Sequence, residues 1–111
     1  MTSDKTYQFL AQLRPASTSP ELLFSPKVGD QVLGMQLIVS NVSAATRQFS
    51  IFFDHDGTTA DETTALAWEV NLSIGTTEII DIILPLRDSN GSVYVQSDKV
   101  GGLNFTFNGQ R

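Results

Sequence analysis

Cysteine is missing altogether, so neither a disulfide framework nor a thiolate metal site is available to this chain. Cysteine usage therefore leaves the redox compartment open, and stability has to come from packing or from association with other chains. Histidine occurs once, as His55, which rules out a histidine-rich metal centre and leaves a Ser-His-Asp arrangement a single candidate base. Basic residues are scarce: 7 Lys and Arg stand against 12 Asp and Glu, for a net charge of −5 and a pI of about 4.5. Such a surface repels phosphates, so nucleic acid is not an expected partner. No apolar run approaches the ~20 residues of a membrane-crossing helix, so no membrane partner is expected. No basic segment leads into an apolar stretch near the first residues, so no secretory signal is expected.

What the chain does have is apolar bulk with little charge. Hydrophobic residues make up 41% and charged residues 17%, a balance that suits a packed domain better than a disordered chain. Seven Phe, with Trp68, Tyr7 and Tyr94, supply large surfaces for a core. At 111 residues the chain fits one domain. A domain of that size buries roughly 65% of the surface its unfolded chain exposes, enough for one core.

The prevailing pattern has a period of two, the spacing of a strand with one buried face. Tyr7, Phe9, Ala11 and Leu13 alternate with Gln8, Leu10 and Gln12, and Phe49, Ile51 and Phe53 alternate with Ser50 and Phe52. Leu66, Trp68, Val70 and Leu72 alternate with Ala67, Glu69 and Asn71, the most regular case, which predicts a half-buried strand. Further strands are expected over 21–25, 31–42, 77–84, 92–96 and 103–107. The prolines and small polar residues of 14–20, Lys27-Val28-Gly29-Asp30, Ser73-Ile74-Gly75-Thr76 and Asp88-Ser89-Asn90-Gly91 supply turns. Pro85 marks a strand end or an edge position. No long stretch keeps helical spacing.

The expected fold is all-β. It is a single two-sheet antiparallel β-sandwich of about eight strands spanning 1–111, with 1–20 read as an extended N-terminal arm. Jelly-roll and immunoglobulin-like topologies both fit. Two segments are apolar on both faces. In 31–42, Leu33, Met35, Leu37 and Val39 share one parity while Val32, Ile38 and Val42 share the other; 77–84 carries isoleucines on both. The first is expected to be central or bulged near Gly34. A sandwich this small has limited interior, so the surplus goes under loops, against the arm or against another chain.

Candidates for chemistry are few. Phe52-Phe53-Asp54-His55-Asp56-Gly57-Thr58, an apolar strand running into Asp-x-Asp-Gly-Thr, resembles the first motif of haloacid-dehalogenase-type phosphatases. There the first Asp attacks phosphorus, the second serves as acid and base, and magnesium neutralises the phosphate. Those enzymes also need a parallel α/β sheet, a downstream Ser/Thr and Lys, and a further acidic pair. The residues after Thr58 lack the helical periodicity for such a sheet, so the segment is read as a polar hairpin loop. Its acids Asp54, Asp56, Asp61 and Glu62 are oxygen donors suited to calcium. Gly57 is misplaced for an EF-hand, however, and a solvated acidic loop is the expectation. Glu69 and Asp81 are the other carboxylates that could pair with this loop for glycoside hydrolysis, with nothing to fix their separation. Asn-x-Ser/Thr triplets begin at Asn41, Asn71, Asn90 and Asn104, and carry little weight without a secretory signal. Trp68, Phe52 and Tyr94 have rings that can stack on sugars, although strand aromatics more often serve core or interface. No catalytic, cofactor-binding or metal-binding residue is assigned, and no enzyme activity is expected.

Several stretches share an order and spacing. Ala11-Gln12-Leu13-Arg14-Pro15-Ala16 is followed by Leu23-Phe24-Ser25-Pro26-Lys27-Val28-Gly29-Asp30, then Ile38-Val39-Ser40-Asn41 and Ser43-Ala44-Ala45-Thr46. An Asp- and Thr-rich loop leads to Leu66-Ala67-Trp68-Glu69-Val70, and the chain closes with Val93-Tyr94-Val95-Gln96-Ser97 and Leu103-Asn104-Phe105-Thr106-Phe107-Asn108-Gly109. In this the chain resembles short virion structural proteins of tailed bacteriophages, over nearly its whole length. Pro26-Lys27-Val28-Gly29 departs from the Pro-Ala-Gly-Lys common in that group. The resemblance implies a β-sandwich on the virion, as a capsid decoration, cement, tail-associated or fibre-type component. Its implied partners are other virion proteins, the major capsid or a tail protein, with the chain as a homo-oligomer. It brings no catalytic residues. The alternative is a carbohydrate- or host-receptor-binding module of a tail fibre, using residues 54–64 and nearby aromatics.

Overall fold

The computed structural model describes residues 8–55, 57–87 and 91–111. Eight strands run in chain order: β1 (Gln8–Leu13), β2 (Glu21–Phe24), β3 (Gln31–Asn41), β4 (Arg47–Asp54), β5 (Ala65–Leu72), β6 (Thr77–Arg87), β7 (Ser92–Ser97) and β8 (Leu103–Gln110). No helix occurs among the described residues. Tyr7 and the Asp88-Ser89-Asn90 part of the expected turn lie outside them. Gln8–Leu13, within the stretch read as an arm, is built into a sheet.

The strands form two four-stranded sheets, ordered β1-β8-β3-β6 and β2-β7-β4-β5. The pairing follows one rule: first with last, second with seventh, third with sixth, fourth with fifth, every pair antiparallel. That is a doubled ribbon rolled across two layers, the jelly-roll arrangement. Of the two topologies left open by the sequence, the strand order selects this one.

Alternating side chains from both layers meet in the middle. Leu37, Val39, Phe105 and Phe107 of the first sheet face Phe49, Ile51, Val93 and Val95 of the second, all at most 1% exposed. Rings bridge the layers: Phe49 meets Phe105 edge-on with centroids 6.4 Å apart, and Phe24 lies 5.6 Å from Phe107. A few polar side chains are buried with them, Asn41 the largest. Asn41 is 4% exposed, and its amide N–H groups donate to the carbonyls of Ala45, Leu72 and Ser73 while its oxygen accepts from Ser43. A buried amide with every group satisfied ties β3 to the end of β5 without an unpaired polar atom.

β3 is both central and bulged, with its register to β6 and β8 shifting between Gly34 and Gln36. Gly34 lies opposite Gly109 on β8, and a Cβ at Gly34 would run into the Phe107 ring. A Cβ at Gly109 would strike the Leu33 carbonyl. The two glycines thus let two backbones and one core ring share a space. β6 continues through Pro85 to Arg87, as an edge strand can, because proline needs no ladder partner on its open side.

β5 departs from its regular sequence pattern. Three residues of β5 span two of β4 between the pairs Phe49↔Val70 and Ile51↔Ala67, and Glu69 takes the left-handed conformation at φ 50°. That bulge switches the alternation. Ala67 packs against the core and Leu72 is buried, while Leu66 and Trp68, expected to share the buried face, are both 48% exposed.

Replacing Gly109 by alanine forces the Leu33 carbonyl to move and is expected to lower stability by about 2 kcal/mol, the usual scale of overpacking. A urea denaturation midpoint measures it.

Candidate functional site

The polar loop between β4 and β5 is held by its own acids. The Asp54 carboxylate accepts the Thr59 N–H at 2.7 Å, and Asp61 accepts both the N–H and the hydroxyl of Thr63, at 2.9 and 2.5 Å. The Thr64 hydroxyl donates to Thr59 and Asp61 carbonyls, and Phe53 N–H donates to Thr64 O. These are turn-forming bonds of short polar side chains to nearby backbone. The Thr63 hydroxyl first, and its backbone N–H second, hold the Asp61 carboxyl below the ordinary aspartate value. Among the described residues no group of three His, Cys, Asp or Glu is placed to hold a metal ion. Asp56, part of the calcium and phosphatase candidates, lies outside them.

His55 is exposed, its ring edge-on to Phe53 at 6.2 Å. The sheet receiving the Asp-x-Asp segment is antiparallel, unlike the parallel α/β sheet that a phosphatase motif serves. Glu69 and Asp81 are on different sheets. Asn41 is a buried structural hub and no glycan acceptor; Asn71 is exposed on β5, Asn104 is half-buried on β8, and Asn90 lies outside the described residues.

The three aromatics singled out from the sequence come together. Val93 and Val95 point inward, as do Ile51 and Phe53, so Tyr94 and Phe52 between them point outward, and they are direct cross-strand partners. Leu22 lies opposite Tyr94 on the other side, and Trp68 meets the Phe52 ring edge-on at 6.1 Å. The result is one row, Leu22–Tyr94–Phe52–Trp68, crossing all four strands of the second sheet on its outer face. Its ends are open, Leu22 49% and Trp68 48% exposed, while Phe52 is covered to 1%.

Beside this row lies a polar recess lined by Thr18, Gln48, Ser50, Glu69, Gln96 and Asp98. The β5 bulge shapes it. Glu69 N–H donates to the buried Ser50 hydroxyl at 2.9 Å, which stabilises a backbone conformation that costs a non-glycine residue roughly 1–2 kcal/mol. No sequence signal marks Glu69 as left-handed, since glutamate is not a turn-former.

A second surface is the free edge of the first sheet. β6 pairs with β3 on one side only. Ile79 shares a face with Ile38, on the outside of the sheet, and is 55% exposed; Ile83 is 70% exposed. The apolar surplus anticipated for 31–42 and 77–84 is therefore uncovered on β6 within a single chain. β1 and β2 touch across the opposite flank, whereas β5 and β6 make hardly any such contact.

Exchanging Glu69 for glycine relieves the left-handed strain and is expected to raise stability by about 1 kcal/mol, whereas Ala67→Gly lowers it; denaturant midpoints separate the two. Thr63→Val is expected to bring the Asp61 carboxyl up toward its ordinary value, read by carboxyl NMR titration. Because the folded value is depressed, the loop stabilisation it carries is present above the ordinary aspartate range and lost as pH falls through the folded value. The valine variant moves that loss to higher pH.

Comparison with known proteins returns no match: no family model fits the chain, and no curated protein or solved structure is significantly similar to it.

Proposed function

We propose that this chain is a bacteriophage virion structural protein that binds other virion proteins, as a capsid decoration or cement or as a tail-associated component, without catalysis. The resemblance of its ordered sequence elements to such proteins supports this reading, and the observation that carries it is the free β6 edge. An 11-residue edge strand with Ile79 and Ile83 turned outward offers both unpaired backbone groups and apolar area. Monomeric proteins usually blunt such an edge.

The blunting here is selective. β6 carries Glu78, Asp81 and Pro85 along its length and a single basic residue, Arg87, at its end. Pairing β6 antiparallel with β6 of a second copy centred on Asp81 sets acid against acid and disfavours that alignment, leaving as favourable only shifted registers that place Arg87 opposite an acid. In this reading the complement of β6 is an apolar strip with Lys or Arg opposite Glu78 and Asp81 on a different virion protein.

Particles lacking the chain are expected to assemble yet break at lower temperature or salt, and adding the purified chain restores them. The double change Ile79→Asp, Ile83→Asp is expected to cost about 2 kcal/mol through strand propensity, with the chain still folded by its thermal midpoint, but to abolish co-sedimentation with particles. Undiminished co-sedimentation of that variant, or particles indifferent to the chain, would count against the proposal.

A further inference from the structure

We propose that the outer face of the second sheet is a binding site for a neutral oligosaccharide, a function separate from the β6 edge and independent of the virion reading. The row Leu22–Tyr94–Phe52–Trp68 provides the length. Neighbouring strands are about 4.8 Å apart, so four strands give roughly 14 Å from end to end, the reach of about three pyranose rings. Pyranose rings have apolar C–H faces, which the exposed Trp68 and the half-buried Tyr94 are suited to stack, with Leu22 as an aliphatic end and the inaccessible Phe52 as the bed beneath Trp68.

The recess beside the row provides the polar half of the recognition. Each of its glutamines uses one of its two amide N–H groups on the protein: Gln96 donates to Thr18 O at 2.9 Å and Gln48 to Asn71 Oδ1 at 3.2 Å. What each has left for a ligand is its carbonyl oxygen and one N–H. Glu69 adds a carboxylate, positioned by the bulge and the Ser50 hydroxyl. The recess thus offers acceptors together with amide and hydroxyl donors, and sugar hydroxyls, each both donor and acceptor, match that mixture.

Charge narrows the choice. The Glu69 carboxylate disfavours phosphorylated, sulfated or uronic-acid polymers. A basic peptide would need several uncompensated acids, yet Asp98 already faces Arg47 at 4.0 Å, and the other acceptors named are neutral amides. A neutral glycan satisfies both the row and the recess. The left-handed Glu69 sits where these two meet, since the same bulge that turns Trp68 outward carries the next residue to the recess wall.

Trp68 is the single tryptophan, so its fluorescence reports on this face alone. The whole chain is titrated with neutral trisaccharides of glucose, galactose, mannose and N-acetylglucosamine, their monosaccharides, and N-acetyl-arginine amide. At least one trisaccharide is expected to give a saturable shift of Trp68 emission, at least 10-fold tighter than its monosaccharide. Calorimetry with that sugar is expected to show at least 5-fold weaker binding for Tyr94→Ala and for Gln96→Ala, both checked for an unchanged thermal midpoint. Ile79→Asp, Ile83→Asp is expected to bind the sugar as wild type does, so loss of particle binding and loss of sugar binding are read separately. No response to any trisaccharide, a response to the arginine amide alone, or sugar binding indifferent to both Tyr94→Ala and Gln96→Ala overturns the proposal.

Discussion

Apolar side chains meeting between two sheets are what the rest of this molecule depends on. No disulfide crosses the layers, and the polar tie at Asn41 works only because every group of its amide is satisfied. Each fully buried Phe, Leu, Ile or Val contributes roughly 1.5–3 kcal/mol, set against the large entropy of ordering the chain. Leu37, Val39, Phe49, Phe105 and Phe107 are therefore committed to holding the sheets together. With these side chains committed to the interior, the recognition surfaces proposed lie on an outer face and an edge.

That division of labour explains why the two proposed surfaces look different. β6 is a strand whose inward residues are spent on the core while its outward isoleucines face solvent, so its free edge and apolar stripe fit another protein. The outer face of the second sheet combines rings with amide and carboxylate oxygens at one end of a bulge, a mixture that suits a small polar ligand with apolar faces. Acids border both. They narrow what can bind without supplying much attraction of their own, since exposed charges in water interact weakly.

The existence of the strands was legible in the sequence because alternation is a local signal: Leu103, Phe105 and Phe107, or Phe49 and Ile51, declare a buried face without reference to any other segment. Strand order was not, because nothing in Gln8–Leu13 states that it will lie beside Leu103–Gln110. The aromatic row was hidden for the same reason. Trp68, Phe52 and Tyr94 could be named as candidates, but the part of Leu22 emerges only once β2 is known to pair with β7. The regular alternation of β5 misled about its buried face, since a one-residue bulge at Glu69 reverses the parity and leaves no mark in composition. Gly34, by contrast, gave its bulge away, as glycine in a strand commonly does.

The rule that pairs the first strand with the last has a consequence for how the molecule comes into being. β8 lies between β1 and β3, so on a ribosome the earliest strand waits for nearly the whole chain before its neighbour emerges. Contacts this distant along the chain close slowly, on the millisecond-to-second scale typical of β-sandwiches. During that interval the isoleucines of β6 and the half-made interior are open to any passing strand. A cell producing this protein in quantity therefore has strong reason to shelter the nascent chain, or to release it beside the surface it will join.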